Sequence, residues 1–185
     1  MSFYFLLEVI YFILPAYFAN MGASLSSKIR ILDFLKKPID FDKKTSRNVP
    51  IFGKHKTWRG LIFGVLIGVF VAYCQKLLYQ IDFFKYISII DYGATNIFLW
   101  GILLSCGAIM GDLISAFFKR RQNIKPGLPW IPFDQINLVV GAFILTGPFA
   151  QIEIYYWGLL LGLTFFLHIL GNNLAYLLGI QKNKW

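Results

Sequence analysis

Residues 111–135 read GDLISAFFKRRQNIKPGLPWIPFDQ, and this stretch gathers most of the side chains capable of chemistry. Asp112 stands inside an apolar run. Ser115 and Lys119 follow at i+3 and i+7, on one helical face. Arg120 and Arg121 end the run, and Lys125 lies in a proline-rich loop. Asp134 and Gln135 then open the next apolar run. Seven residues separate Asp112 from Lys119, so the carboxylate sits about 10 Å deeper along a helix axis. An acid at that depth is costly unless it is paired or bound to a cation. Two carboxylates beside a basic cluster suit a magnesium-bound polyphosphate: oxygen ligands hold the Mg²⁺, and cations hold phosphate oxygens.

Each of these residues also has an ordinary reading. Asp112 serves equally well in a structural ion pair with a basic residue of another helix, although intramembrane acids mark functional sites by default. Asp134 precedes an apolar run, where aspartate is a common helix N-cap. Lys119, Arg120, Arg121 and Lys125 lie at a helix end, where basic residues fix membrane topology. Topology accounts for two of the four and leaves the others for a substrate.

A second basic group comes from far away in sequence. In FGKHKTWRG, residues 52–60, Lys54, Lys56 and Arg59 surround Thr57 between two glycines and open an apolar run. A helix N-terminus with adjacent cations binds anions. The spacing is not that of a P-loop. Later, His168, Asn172 and Tyr176 share a face at i, i+4 and i+8, and Asn172 reaches a depth similar to that of Asp112. Site lining and interhelical hydrogen bonding suit Asn172 equally, and His168 reads as a packing residue. Asn20, at the end of the first run, can approach the same place, and Asn173 is a further candidate for lining it.

The elements that must hold these residues are membrane spans. Of the 185 residues, 57% are hydrophobic, with a mean hydropathy of +0.61, too apolar for a soluble domain of this size. Five apolar runs, near 3–19, 60–81, 95–118, 136–150 and 154–180, predict an all-α integral membrane protein with one domain over 1–185. Its polar loops are 20–59 and 119–135. The fourth run rises only about 22 Å, short of a typical ~30 Å hydrocarbon core, so it must borrow flanking residues, thin the bilayer or span incompletely. Pro15 is expected to kink the first run. Leu25, Ile29, Leu32 and Leu35 predict a short amphipathic helix on an anionic surface. Gly60, Gly64 and Gly68 form a small-residue stripe for close helix approach. Cys74 and Cys106 lack metal spacing and read as packing residues.

Net charge is +9, and sixteen of the eighteen Lys and Arg fall on one side of the five-span arrangement. The positive-inside rule then puts the N-terminus outside and the C-terminus in the cytoplasm, with the Asp112–Asp134 stretch facing the cytoplasm in the cell membrane. In a chain this apolar the basic excess reads as topology, headgroup attraction or an anionic substrate, and not as nucleic-acid binding.

The motif GDLISAFFKRR…KPG…P…DQ, with GKHKTWRG upstream, resembles the CDP-archaeol synthase family. These are the archaeal members of the membrane CTP:phospholipid cytidylyltransferases that include bacterial CDP-diacylglycerol synthase. The similarity also takes in ANM at the end of the first run, the PIDF loop and HILGNNLAY. It implies Mg²⁺-dependent transfer of CMP from CTP to 2,3-di-O-geranylgeranylglyceryl phosphate, giving CDP-archaeol and pyrophosphate. By the resemblance, Asp112 and Asp134 fall on metal positions. Lys119, Arg120 and Lys125 fall on the phosphate-meeting stretch, and Lys54, Thr57 and Arg59 on the upstream motif. Ser115, Gln135 and Asn172 fall on other polar positions. The approach PGLPWIPFDQ is shorter than that of bacterial phosphatidate enzymes and favours the archaeal form. Phosphatidate as substrate stays open, as do a small transporter and a scaffold binding acidic lipid.

Overall fold

In the computed structural model, residues 3–177 other than 47 and 151 are described. Among the described residues six α-helices follow one another: α1 (Phe3–Leu25), α2 (Trp58–Leu78), α3 (Asp82–Tyr86), α4 (Ile97–Arg121), α5 (Phe133–Ala150) and α6 (Ile154–Leu177). All but α3 are long and apolar enough to cross a membrane. The chain is a multi-pass integral membrane protein, all-α among the described residues. Its exposed surface carries Leu66, Phe70, Phe149 and Phe166, each at least 60% exposed, as lipid-facing helices require.

The helix ends differ from the expected spans for identifiable reasons. α1 continues past Asn20 to Leu25, because MGAS supplies small residues that pack beside α2. Pro15 lies within α1 and is buried. α4 keeps Lys119, Arg120 and Arg121 inside its last turn, where cations favour the negative end of the helix dipole. α5 takes up Phe133, Asp134 and Gln135 from the expected loop. Its 18 residues rise about 27 Å, close to a bilayer core. The expected short span is therefore a nearly full one. Residues 178–180 of the expected fifth span, and Lys182 and Lys184, lie outside the described residues. α3 was not anticipated.

The expected amphipathic α-helix is instead two 3₁₀ segments, Ser26–Lys28 and Arg30–Leu35. Ile29, Leu32 and Leu35 are half-buried, and Ile31 and Phe34 are exposed. Three-residue spacing is the period of a 3₁₀ helix, and it suffices to explain the pattern first read as α-helical.

Glycines determine how the helices approach. On α2, Gly60, Gly64 and Gly68 are buried, and a Cβ on Gly64 would lie 2.6 Å from the Ala19 carbonyl oxygen of α1. The expected close approach is therefore made, against α1. A tighter contact joins α4 to α5. A Cβ on Gly111 would stand 1.9 Å from the Asn137 oxygen, and one on Gly141 would stand 2.0 Å from the Gly107 oxygen. Backbones touch there, as small residues permit in membrane bundles. Cys74 and Cys106 are half-buried thiols.

Gly111→Ala is expected to force α4 and α5 apart. Overpacking of this kind lowers the thermal-unfolding midpoint of the detergent-purified protein by roughly 5 °C or more. A melting curve superimposable on that of the unmodified protein would show that the contact yields freely.

Candidate active site

At the C-terminal end of α4 a cavity of about 400 Å³ is lined by Phe52, Gly53, His55, Lys56, Asp112, Ser115, Ala116, Lys119, Arg120, Pro126, Gly127 and Asp134. Three segments converge there: the loop before α2, the last three turns of α4, and the loop leading into α5 with that helix's first turn. The cavity is charged and lies at the edge of an otherwise apolar bundle.

Each carboxylate in it holds a lysine. Asp112 Oδ2 pairs with Lys56 Nζ, joining α4 to the loop 56 residues earlier. Asp134 Oδ2 pairs with Lys119 Nζ at 2.5 Å and accepts the Trp130 backbone N–H at 2.9 Å. Asp134 Oδ1 accepts the Ser115 hydroxyl at 2.7 Å. Ser115 lies one helical turn from Asp112, so both carboxylates face the same space. Asp134 sits inside the first turn of α5, and its carboxylate reaches back to Trp130 and across to α4. The N-cap reading therefore gives way to that of a hub between two helices.

Arg120 also lines the cavity, and among the described residues its buried Nε–H has no hydrogen-bond partner. A buried, unpaired guanidinium N–H is costly and points to an anionic partner. Three cations against two carboxylates leave the cavity positive. Among the described residues no third His, Cys, Asp or Glu joins the two aspartates as a metal group. That donor set still fits Mg²⁺, which keeps several waters and commonly uses one or two carboxylates together with substrate phosphates.

The structure redistributes the upstream basic group. Lys56, grouped with Lys54 and Arg59 from the sequence but not singled out, is the one that enters the cavity. Lys54 is exposed and off the lining. Thr57 is the N-cap of α2, with its Oγ1 accepting the Gly60 N–H at 3.2 Å. The Trp58 N–H donates to Lys37 O at 3.1 Å. These two N–H groups of the expected anion site at the start of α2 are engaged by the protein itself. Arg59 turns away, 6% exposed, and pairs with Asp33 at 2.9 Å. Lys125 is exposed beside the lining residues Pro126 and Gly127. His55, not weighed from the sequence, also lines the cavity.

A second cavity, of about 360 Å³, lies between α1, α5 and α6, and Asp134 borders it too. Asn20, Gln135 and His168 line it together with Leu14, Phe18, Leu138 and Leu167. Gln135 is 2% exposed, and among the described residues its Oε1 has no partner. Asn172 is not on this lining. Its Nδ2 donates to His168 Nδ1 at 3.1 Å and so orients the ring. Asn173 bonds to Ile169 O of its own helix at 2.8 Å. His168, read as packing, is thus the lining residue, and Asn172 supports it.

The profile of the CarS-like CDP-archaeol synthase family matches residues 2–185. The CDP-archaeol synthase of Pyrobaculum islandicum is 32% identical over 182 residues, 97% of this chain and 100% of the relative. That of Methanocaldococcus jannaschii is 35% identical over 177 residues, 95% of each. A solved structure of an intramembrane enzyme for archaeal membrane lipids biosynthesis superposes with a TM-score of 0.70. It shares 21% identity and covers 88% of this chain and 91% of its own, a likeness of fold. The chain is thus an integral membrane nucleotidyltransferase that uses CTP. It belongs to the CDP-archaeol synthase family and acts in archaeal membrane lipid biosynthesis.

The basic residues now separate by position: Lys56 and Lys119 line the cavity, and Lys54 does not. Lys56→Met and Lys119→Met each leave a carboxylate without its cation and are expected to lower CDP-lipid formation by about 100-fold. Lys54→Met is expected to stay within about threefold. Incorporation of radiolabelled CTP into lipid measures all three. Equal losses in the three would remove the distinction.

Proposed function

We propose that CTP occupies the charged cavity and that the lipid phosphate reaches it through the cavity between α1, α5 and α6. The acceptor is 2,3-di-O-geranylgeranylglyceryl phosphate, and the products are CDP-archaeol and pyrophosphate. The observation that carries this reading is that Asp134 lines both cavities. One is polar and rich in cations. The other is lined by Asn20, Gln135 and His168 together with Leu14, Phe18, Leu138 and Leu167, a mixed lining that suits a phosphate and glycerol head with isoprenoid chains. Asn20, Gln135 and His168 lie toward the Asp134 end of α1, α5 and α6, and Leu14 and Leu138 lie deeper.

Asp112 and Asp134 would hold Mg²⁺, which neutralises the triphosphate and draws charge from the leaving pyrophosphate. Lys56 and Lys119 line the same cavity and would meet the phosphate oxygens. Arg120 offers its unpaired N–H to the same anion. Ser115 holds Asp134 in place. The lipid phosphate oxygen forms a bond to the α-phosphorus of CTP, and the bond to the β-phosphate oxygen breaks. The nucleophile is already an anion, so no covalent enzyme intermediate is needed. The residues bring two anions together and stabilise the leaving charge, as phosphoryl transfer generally requires. The cavity end of the bundle faces the cytoplasm, where CTP is found, in the cell membrane. Its support is the basic excess of the loops that form this end, under the positive-inside rule.

Asp112→Asn and Asp134→Asn are each expected to abolish Mg²⁺-dependent CDP-lipid formation in protein that still purifies as a folded species, a loss of about 1000-fold or more. Full activity in either, with CTP and the isoprenoid ether phosphate or diacyl phosphatidate as acceptor, would sink the assignment. Leu167→Trp narrows the second cavity. It is expected to raise the lipid KM roughly tenfold with the CTP KM unchanged. The opposite pattern would place the lipid elsewhere.

A further inference from the structure

The wall of the charged cavity formed by Gly53, His55 and Lys56 belongs to a loop with little regular structure. Isolated bridges pair Pro38 with Thr57 and Lys44 with Pro50. Lys56 must nevertheless meet Asp112 reliably, and residues outside the cavity set its position.

Asp40 lies behind this wall, 7% exposed and absent from the cavity lining. Its Oδ2 accepts the N–H groups of Phe52 at 2.9 Å and Gly53 at 3.1 Å, and its Oδ1 accepts that of Asp42 at 3.1 Å. Arg121 approaches the same segment from α4. Its Nη1 donates to Ile51 O at 3.0 Å and to Phe117 O at 2.8 Å. The guanidinium carbon stands 3.2 Å from the Phe117 ring centroid, and the Phe52 ring packs against Phe117 at 6.3 Å. Three successive residues are thus gripped by opposite charges: a carboxylate takes two of their N–H groups, and a guanidinium takes a carbonyl. The grip continues into the site. Gly53, at φ +101°, accepts the Lys56 N–H at 3.1 Å, and Lys56 O accepts the Ile39 N–H at 2.8 Å.

Among the described residues Asp40 is in no ion pair, so its buried charge is balanced by backbone dipoles. An asparagine there cannot replace it. Asparagine has one acceptor oxygen where the carboxylate uses two, and its NH₂ would face N–H donors. Lysine does not reproduce Arg121 either: the guanidinium donates from Nη1 to both carbonyls while its plane lies on the Phe117 ring, and an ammonium has no plane to stack there.

We infer that Asp40 and Arg121 are positioning residues for CTP, which together fix segment 51–56 against α4 and thereby aim Lys56. This rests on the charged cavity being the CTP site. It also explains why Arg121 points away from the cavity while its neighbours Lys119 and Arg120 line it.

The test is steady-state kinetics of purified full-length Asp40→Asn and Arg121→Lys, varying CTP and the lipid phosphate separately. Each is expected to raise the CTP KM about tenfold, leaving the lipid KM and kcat within about threefold. The double variant should be clearly less than multiplicative, because both changes release one segment. If Asp40→Asn does not fold, Arg121→Lys probes the same segment from the other side. An unchanged CTP KM in the variants that fold overturns the inference. So does an equal rise for both substrates, which marks a general loss of structure. Asp112→Asn separates this from the parent reading. If Asp112→Asn is inactive while the CTP KM of Asp40→Asn is normal, only the positioning role fails. If Asp112→Asn is active, the cavity assignment itself fails.

Discussion

Backbone contact between α4 and α5 is the constraint on which the site depends. Gly107 and Gly111 face Gly141 and the Asn137 carbonyl so closely that no Cβ fits between them without displacement. That contact leaves α5 leaning on α4 one to two turns below Asp134. The short side chain of an aspartate then suffices to reach Ser115 and Lys119 across the helix gap. With larger residues at the contact the gap would widen, and an aspartate could not bridge it. In a bilayer, helix association draws on packing and interhelical hydrogen bonds, since burial away from lipid adds little. The glycines and the Asp134 hub therefore reinforce each other.

Charge placement follows from the same geometry. A carboxylate near the membrane is costly alone, and a half-buried ammonium is costly alone. Lys56 with Asp112 and Lys119 with Asp134 offset these costs in the resting protein. The pairs span separate segments, loop to α4 and α4 to α5, so they close the cavity as well as neutralise it. Arg120 stays outside the pairing and leaves the cavity with a net attraction for an anion. Arg59 belongs to a different arrangement, in which Asp33 draws the 3₁₀ segment onto the start of α2.

The sequence made the five spans legible because lipid-facing helices must be apolar almost throughout. It also made Asp112, Ser115, Lys119, Arg120 and Asp134 legible as one group, because a short loop returns the chain to the same helix end. What it concealed depended on direction. Lys54, Lys56 and Arg59 are equivalent as letters, and only the loop's course turns Lys56 inward and Arg59 toward Asp33. Thr57 fell on the upstream motif by resemblance, and in the structure its hydroxyl caps the start of α2. The glycines of α4 and α5 are less legible than the regular stripe on α2, because their contact joins two helices and forms no pattern within one. Asp40 sat in a charged stretch that read as loop. Nothing local distinguishes a carboxylate in solvent from one gathering backbone N–H groups contributed by residues a dozen positions away.

The meeting of two cavities at one carboxylate also bears on how a chain of this size handles two dissimilar substrates. A nucleotide triphosphate requires water and cations, and isoprenoid chains require a surface that excludes both. A single mixed cavity would desolvate the nucleotide or wet the chains, and each carries a cost. Here α5 is the partition. Its first turn presents Asp134 to the charged side, while Gln135 and Leu138 line the cavity toward α1 and α6. On the proposed reading only the phosphate of the lipid would pass the partition, beside Asp134, which lines both cavities and which α4 holds through Ser115 and Lys119. The close α4–α5 contact on one side, with α6 touching the rest of the bundle less extensively on the other, would on that reading let the charged cavity keep its geometry while the apolar one accommodates chains of varying shape.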